Sequence, residues 1–157
     1  MQKKRVYTII EANKNIRYYC SFQERCRLDV KQKLLGWGIL GNLIPNIIMK
    51  LIDEDYINEE RYARSFCRGK FRIKKWGRKK IEFELKKKYL SDDHINIGME
   101  EIESSEYLEE LDRQIDKKNN LIKEKTFFNK RNILANYLID RGFETQLVWN
   151  SINRIYK

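Results

Sequence analysis

The chain has 157 residues, 41% of them hydrophobic, with 33 Lys or Arg against 23 Asp or Glu, which supplies enough apolar material for a buried core and argues against overall disorder. One proline and seven glycines interrupt long stretches of helix-tolerant residues, so an all-α fold is expected. Three cysteines without a CxxC pair and a single histidine argue against a disulfide framework or a zinc site, and no apolar run is long enough to span a membrane.

The opening MQKKRVYTII is charged but has no sustained apolar region, so it does not read as a signal peptide. Reduced thiols at Cys20, Cys26 and Cys67 then fit a cytoplasmic protein. Farther along, Val30, Leu34, Ile39, Ile44, Ile48 and Leu51 set a pattern. At an offset of 51 it returns as Ile81, Leu85, Leu90, Ile95, Met99 and Ile102, and after 53 more as Leu134, Leu138, Phe143, Val148, Ile152 and Ile155. In each set the first pair is spaced i, i+4 and the last three i, i+4, i+7, which predicts two helices joined by a short turn. Gly38 and Gly142 stand where a left-handed helix end is needed. Tyr89 holds the equivalent middle position, so that turn is expected to close differently.

Upstream of each helix pair there is room for another helix. Its inner face is expected at Tyr62, Phe66, Gly69 and Ile73 in the second copy, and at Leu108, Leu111, Ile115 and Ile122 in the third. The expected architecture is three tandem three-helix, helix-turn-helix-like repeats in an elongated, curved solenoid. Residues 1–57 hold an N-terminal segment and repeat 1, 58–103 a basic repeat 2, and 104–157 repeat 3. Repeats that lean only on neighbours should unfold with limited cooperativity, and a solenoid with two finished ends should be a monomer.

Charge is unevenly spread along this array. Arg64 to Lys88 contains twelve Lys or Arg against Glu82 and Glu84 alone, while the rest of the chain balances at 21 against 21. Ser91 to Asp112 reverses the sign, with nine acidic residues and no Lys or Arg. The molecule is therefore expected to be electrically lopsided, with a positive patch suited to a polyanion, nucleic acid above all. Arg61, Arg64, Arg68, Arg72 and Lys75 fall at steps of 3, 4, 4 and 3, a helical stripe of roughly 21 Å at the ordinary rise per residue. With Lys70, Lys74, Arg78, Lys79 and Lys80 they form the candidate partner- or nucleic-acid-binding set. A merely solvating face usually mixes signs, and this one lacks interspersed acids. Trp37, Phe71 and Trp76 are candidates either for stacking on bases or for packing where one helix turns into the next.

Catalysis finds little support. No GxxxxGK loop is present, one histidine cannot convincingly serve a nucleophile triad, and spaced metal ligands are lacking. His94 reads as part of a helix start after SDD. Asp92 and Asp93 suit a helix N-terminus, although with Glu100, Glu101 and Glu103 they could in principle hold a metal. No cofactor is expected.

Two longer stretches carry a resemblance: YYCSFQERCRLDVKQKLLGWGI, Tyr18 to Ile39, and LIDEDYINEERYARSFCRGKFRIKKWGRKKIEFELKKKYL, Leu51 to Leu90. They resemble the RecX family of bacterial regulators of the RecA recombinase. A GYIDEERFAR-type segment matches Asp55 to Arg64, and a KFR…WG-type segment matches Lys70 to Arg72 with Trp76 and Gly77. Asp55 replaces a usual small residue and Tyr89 a glycine; both concern turn geometry. The similarity is tight over the first two repeats and rests on the apolar pattern in the third. It implies a non-enzymatic modulator lying in the groove of the RecA–DNA filament and restraining ATP turnover, strand exchange and coprotease activity in DNA repair, with single-stranded or duplex DNA as a further partner. The alternative is a helix-turn-helix-like transcription factor or RNA adaptor that uses the same basic stripe. The third helix of each repeat offers few base-reading side chains, which disfavours direct readout of the major groove.

Overall fold

Nine α-helices make up the regular structure of residues 4–123 and 126–156, the part described by this computed structural model, and no strand occurs among them. In chain order they are α1 (Ile9–Phe22), α2 (Arg27–Gly36), α3 (Ile44–Asp53), α4 (Glu59–Arg72), α5 (Arg78–Lys87), α6 (Asp92–Met99), α7 (Ser104–Asn119), α8 (Phe127–Asp140) and α9 (Thr145–Ile155). A short 3-10 turn at Gly41–Leu43 leads into α3.

Several starts are written locally. Thr8 caps α1 in a reciprocal box with Glu11, accepting from its backbone N–H at 3.2 Å while the Glu11 carboxylate accepts from the Thr8 N–H at 3.0 Å. Asn58 caps α4 through the Arg61 N–H, and Ser91 caps α6 through the N–H of His94. His94 is thus a helix-start residue.

The triplicated apolar positions are the core. Fifteen of the eighteen are buried, and Ile48, Met99 and Ile155 are partly buried. The helix ends between the paired helices share one geometry. Gly38, Tyr89 and Gly142 all adopt positive φ, at 85°, 61° and 98°. Each turn has the same two bonds: Gly38 N–H to Leu35 O with Ile39 N–H to Leu34 O, Tyr89 to Lys86 with Leu90 to Leu85, and Gly142 to Ile139 with Phe143 to Leu138. These are Schellman closures, in which the following apolar residue plugs the core. The middle turn therefore closes as the others do, contrary to expectation. Seating Leu90 outweighs the steric cost of a left-handed tyrosine, whose side chain is 83% exposed.

The leading helices correct the sequence register. On α4 the buried residues are Tyr62, Ala63, Cys67 and Phe71, whereas Ile73 lies past the helix end and is 79% exposed. On α7 Tyr107, Leu111 and Ile115 are buried, and Leu108 is 41% exposed. Phe71 is a core residue; Trp37 and Trp76 are half-buried against the apolar cores. Gly98 lets α6 cross α4 closely, since a Cβ there would lie 2.8 Å from the Ala63 carbonyl oxygen.

Two apolar cores result. One is confined to α1–α3, and the other runs without interruption through α4–α6 and α7–α9, with Cys26 and Leu28 reaching into it from the first triplet. Cys20, Cys26 and Cys67 are free thiols, all buried.

Candidate basic interface

Helix α4 carries Arg61, Arg64, Arg68 and Arg72 as a row, whereas Lys75 lies past the helix end with φ at 59°. The stripe is therefore not the one continuous helical line expected, and the fold sets acids beside it. Arg61 donates to Glu24 at 2.6 Å and to Asp55 at 3.0 Å. Arg64 reaches Glu60, Glu100 and Glu101 at 3.3, 3.2 and 3.4 Å. Arg68 pairs with Glu101 at 3.6 Å, Arg72 with Glu106 at 3.9 Å, and Lys75 with Glu110 at 3.7 Å. The acidic run between Ser91 and Asp112 thus folds back along α4 as a charge ladder. The stripe is not free of interspersed acids, and the molecule is less lopsided than its sequence.

Burial of the Arg61 and Arg64 guanidinium groups opposes their charge, and the hydrogen bonds they donate outweigh it, so both pKa values lie above the ordinary arginine value. The ladder has a sequence signature, visible only once the repeat is known. Arg17 on α1 bonds Glu54 after α3 at 2.8 Å, and Arg64 on α4 meets Glu101 after α6, in each case 37 residues apart.

Six of the ten candidate residues are held this way, since Arg78 also pairs with Glu144 at 3.5 Å. The other four, Lys70, Lys74, Lys79 and Lys80, have no carboxylate partner among the described residues. All four fall on the end of α4, the α4–α5 turn or the start of α5, and two of them stand over Trp76. The Lys70 ammonium lies 4.9 Å and that of Lys80 4.6 Å from the Trp76 ring centroid, and Lys70 is also 5.3 Å from Phe66. Lysines over an indole keep their charge available to a partner, while the ring offers a flat apolar face.

A second cation–aromatic row, not singled out from sequence, crosses the first triplet. Tyr7 stacks on Trp37 at 4.7 Å, Lys33 stands 5.8 Å from Trp37 and 5.1 Å from Tyr19, and Arg25 lies 3.9 Å over Tyr19. Its members are scattered between positions 7 and 37, so no short motif announces them.

Among the described residues no group of three or more His, Cys, Asp or Glu could hold a metal ion. No helix among them is long and apolar enough to cross a membrane.

Comparison with known proteins places this corner in a family. The RecX second three-helix domain matches residues 58–99, which span α4, α5 and α6. A Regulatory protein RecX from Streptococcus uberis is 30% identical over 132 residues, 83% of this chain and 50% of that protein. A crystal structure of RecX from Lactobacillus salivarius superposes with a TM-score of 0.81 at 28% identity, covering 94% of this chain and 96% of that one. The chain matches the RecX family in its second three-helix domain, in its curated relatives and in its fold. Its Regulatory protein RecX relative in Prosthecochloris aestuarii is 25% identical over 142 residues, 87% of this chain and 88% of the relative. The chain spans about half the length of the curated Bacillus and Streptococcus relatives it matches. A further RecX crystal structure, at 17% identity and a TM-score of 0.81, shares the fold.

Proposed function

We propose that the chain is a non-enzymatic modulator of RecA that lies in the groove of the RecA–DNA filament and restrains ATP turnover, strand exchange and coprotease activity. The observation that supports this reading is that the segment matching the RecX second three-helix domain, 58–99, holds four lysines without a carboxylate partner among the described residues, two of them, Lys70 and Lys80, over the Trp76 ring. A filament groove presents carboxylates and DNA phosphates, and cations already free of intramolecular partners meet them without breaking a pair first. The paired arginines of α4 are a weaker first contact, because each must exchange a carboxylate for a new partner.

This separation decides the test. Replacing Arg64, Arg68, Arg72 and Lys75 by glutamine removes binding charges and fold contacts together. Replacing Lys70, Lys74, Lys79 and Lys80 by glutamine leaves every observed ion pair in place. The lysine variant should keep wild-type helical content and lose inhibition of RecA-driven ATP hydrolysis by about tenfold or more in the concentration required, if each lost contact is worth roughly 0.5–1 kcal/mol. Inhibition unchanged at moderate salt would place the binding surface elsewhere. Loss of free-DNA binding with RecA inhibition intact would favour the nucleic-acid adaptor instead.

A further inference from the structure

The concavity where α7 faces the α4–α5 turn and the end of α8 has a volume of about 330 Å³, within the range of small-molecule sites. Helix α7 contributes Glu110, Arg113, Gln114, Lys117 and Lys118, spaced so that they share one polar face. The floor is built rather than incidental. Gln114, which is buried, donates to the Lys75 carbonyl and to the Glu110 carboxylate, both at 3.1 Å, and accepts from Arg141 Nε at 2.8 Å. Arg141 also donates to the carbonyls of Lys74 and Lys75 at 2.8 and 3.2 Å.

Charge in this cavity does not balance. Lys75, Arg113, Lys117, Lys118 and Arg141 line it against one carboxylate, Glu110, which is 5% exposed and already bonded by Arg113 and Gln114. Lys117 and Lys118 have no carboxylate partner among the described residues. Like charges crowded into a concavity repel one another and concentrate anions there. The apolar part of the lining lies among the cations, with Arg141 5.7 Å from the centroid of the Tyr137 ring. Tyr137 presents its ring, 4.5 Å from the Lys118 ammonium, and Leu121 is 67% exposed beside it.

A cationic rim beside an aromatic ring suits a ligand that joins several phosphates to a flat ring. We infer that this cavity binds a nucleoside triphosphate, its phosphates on Lys117, Lys118 and Arg113 and its base against Tyr137 and Leu121. Occupancy would tie the α4–α5 turn to α7 and α8. The inference is independent of the RecA reading, and its test contains no RecA.

Isothermal titration of the full chain at fixed salt, with ATP, tripolyphosphate, adenosine and a short single-stranded oligonucleotide as separate probes, tests it. ATP should bind saturably at one site, tripolyphosphate more weakly, and adenosine undetectably over the same range. Lys117→Gln with Lys118→Gln should weaken ATP binding about tenfold or more, as expected for two lost charge-assisted contacts, with helical content unchanged. Tyr137→Leu should weaken ATP several-fold and leave tripolyphosphate unchanged. Should that variant unfold, transfer of ATP-induced chemical-shift changes onto α7 and α8 residues of the wild type gives the same readout. Absence of saturable ATP binding, or equal binding by the double lysine variant, overturns the proposal. So does binding of the oligonucleotide without binding of ATP, which would make the rim a strand contact.

Discussion

The two joints of the molecule both carry ion pairs, and only the second adds backbone bonds over a continuous apolar core. Between the first and second triplets the contacts are mainly polar: Arg61 to Glu24 and Lys88 to Asp29, both at 2.6 Å, and the Arg27 N–H to Glu59 at 3.1 Å, with Cys26 and Leu28 as the apolar contribution. Between the second and third, Gly77 N–H donates to the Arg141 carbonyl at 2.8 Å and Lys79 N–H to that of Gly142 at 2.9 Å, over a continuous apolar core. Tyr107 is fully buried at this joint. Its hydroxyl accepts from the Arg78 N–H at 3.0 Å and donates to Glu144 at 2.9 Å, and its ring lies 5.1 Å from that of Phe143. Ion pairs cross the second joint too, Arg72 to Glu106, Lys75 to Glu110 and Arg78 to Glu144. There salt screens only an addition to backbone bonds and a continuous apolar core, whereas at the first joint it loosens the main contacts. Nearest-neighbour coupling is thus unequal, and the second and third triplets are expected to melt as one unit.

The largest effect should come from crowding the second joint. A Cβ on Gly77 would lie 2.2 Å from the Gly142 carbonyl carbon, and one on Gly142 2.4 Å from the Lys80 Cβ with φ at 98°. Gly142→Ala adds left-handed strain to overlap and should cost roughly 3–5 kcal/mol by chemical denaturation, with the fused transition splitting in two. A single transition shifted by less than 1 kcal/mol would show that the joint yields. Tyr107→Phe removes one hydroxyl that serves two partners and should cost about 1–3 kcal/mol at any salt concentration.

At the first joint, Glu24→Gln should destabilise only the α1–α3 transition, by about 1 kcal/mol, and the difference from wild type should shrink as salt rises. A salt-independent loss would mean that this joint is held by packing. The smallest change lies inside the second triplet, away from both joints. Tyr89→Gly relieves a left-handed side chain and should be neutral to stabilising by up to about 1 kcal/mol, read as a small upward shift in the melting midpoint.

What could be read from the chain follows from the range of each interaction. The recurring apolar positions were legible because helical periodicity is local and was written three times. The face of α4 was read two residues out at its end, at Ile73 instead of Phe71, and that of α7 one residue out at its start, at Leu108 instead of Tyr107, since neighbouring apolar residues fit more than one helical face. The left-handed Tyr89 was obscured by its own identity, although Leu90 after it marked the plug. At the basic surface the ten residues were identifiable by composition. Their division into six paired and four unpaired was not, because the partners Glu100, Glu101, Glu106 and Glu110 approach through the tertiary fold.

Burial of the three cysteines has a use at the bench. It pushes the thiols of Cys20 and Cys26 up to about 11 and that of Cys67 to about 12, so at neutral pH almost none is present as the reactive thiolate. Maleimide and disulfide reagents should therefore modify the folded chain slowly and the unfolded chain fast. A single cysteine placed on the exposed α4–α5 corner, at Lys74 for instance, would accept a fluorophore with the native thiols left in place, giving a direct optical report of what docks there.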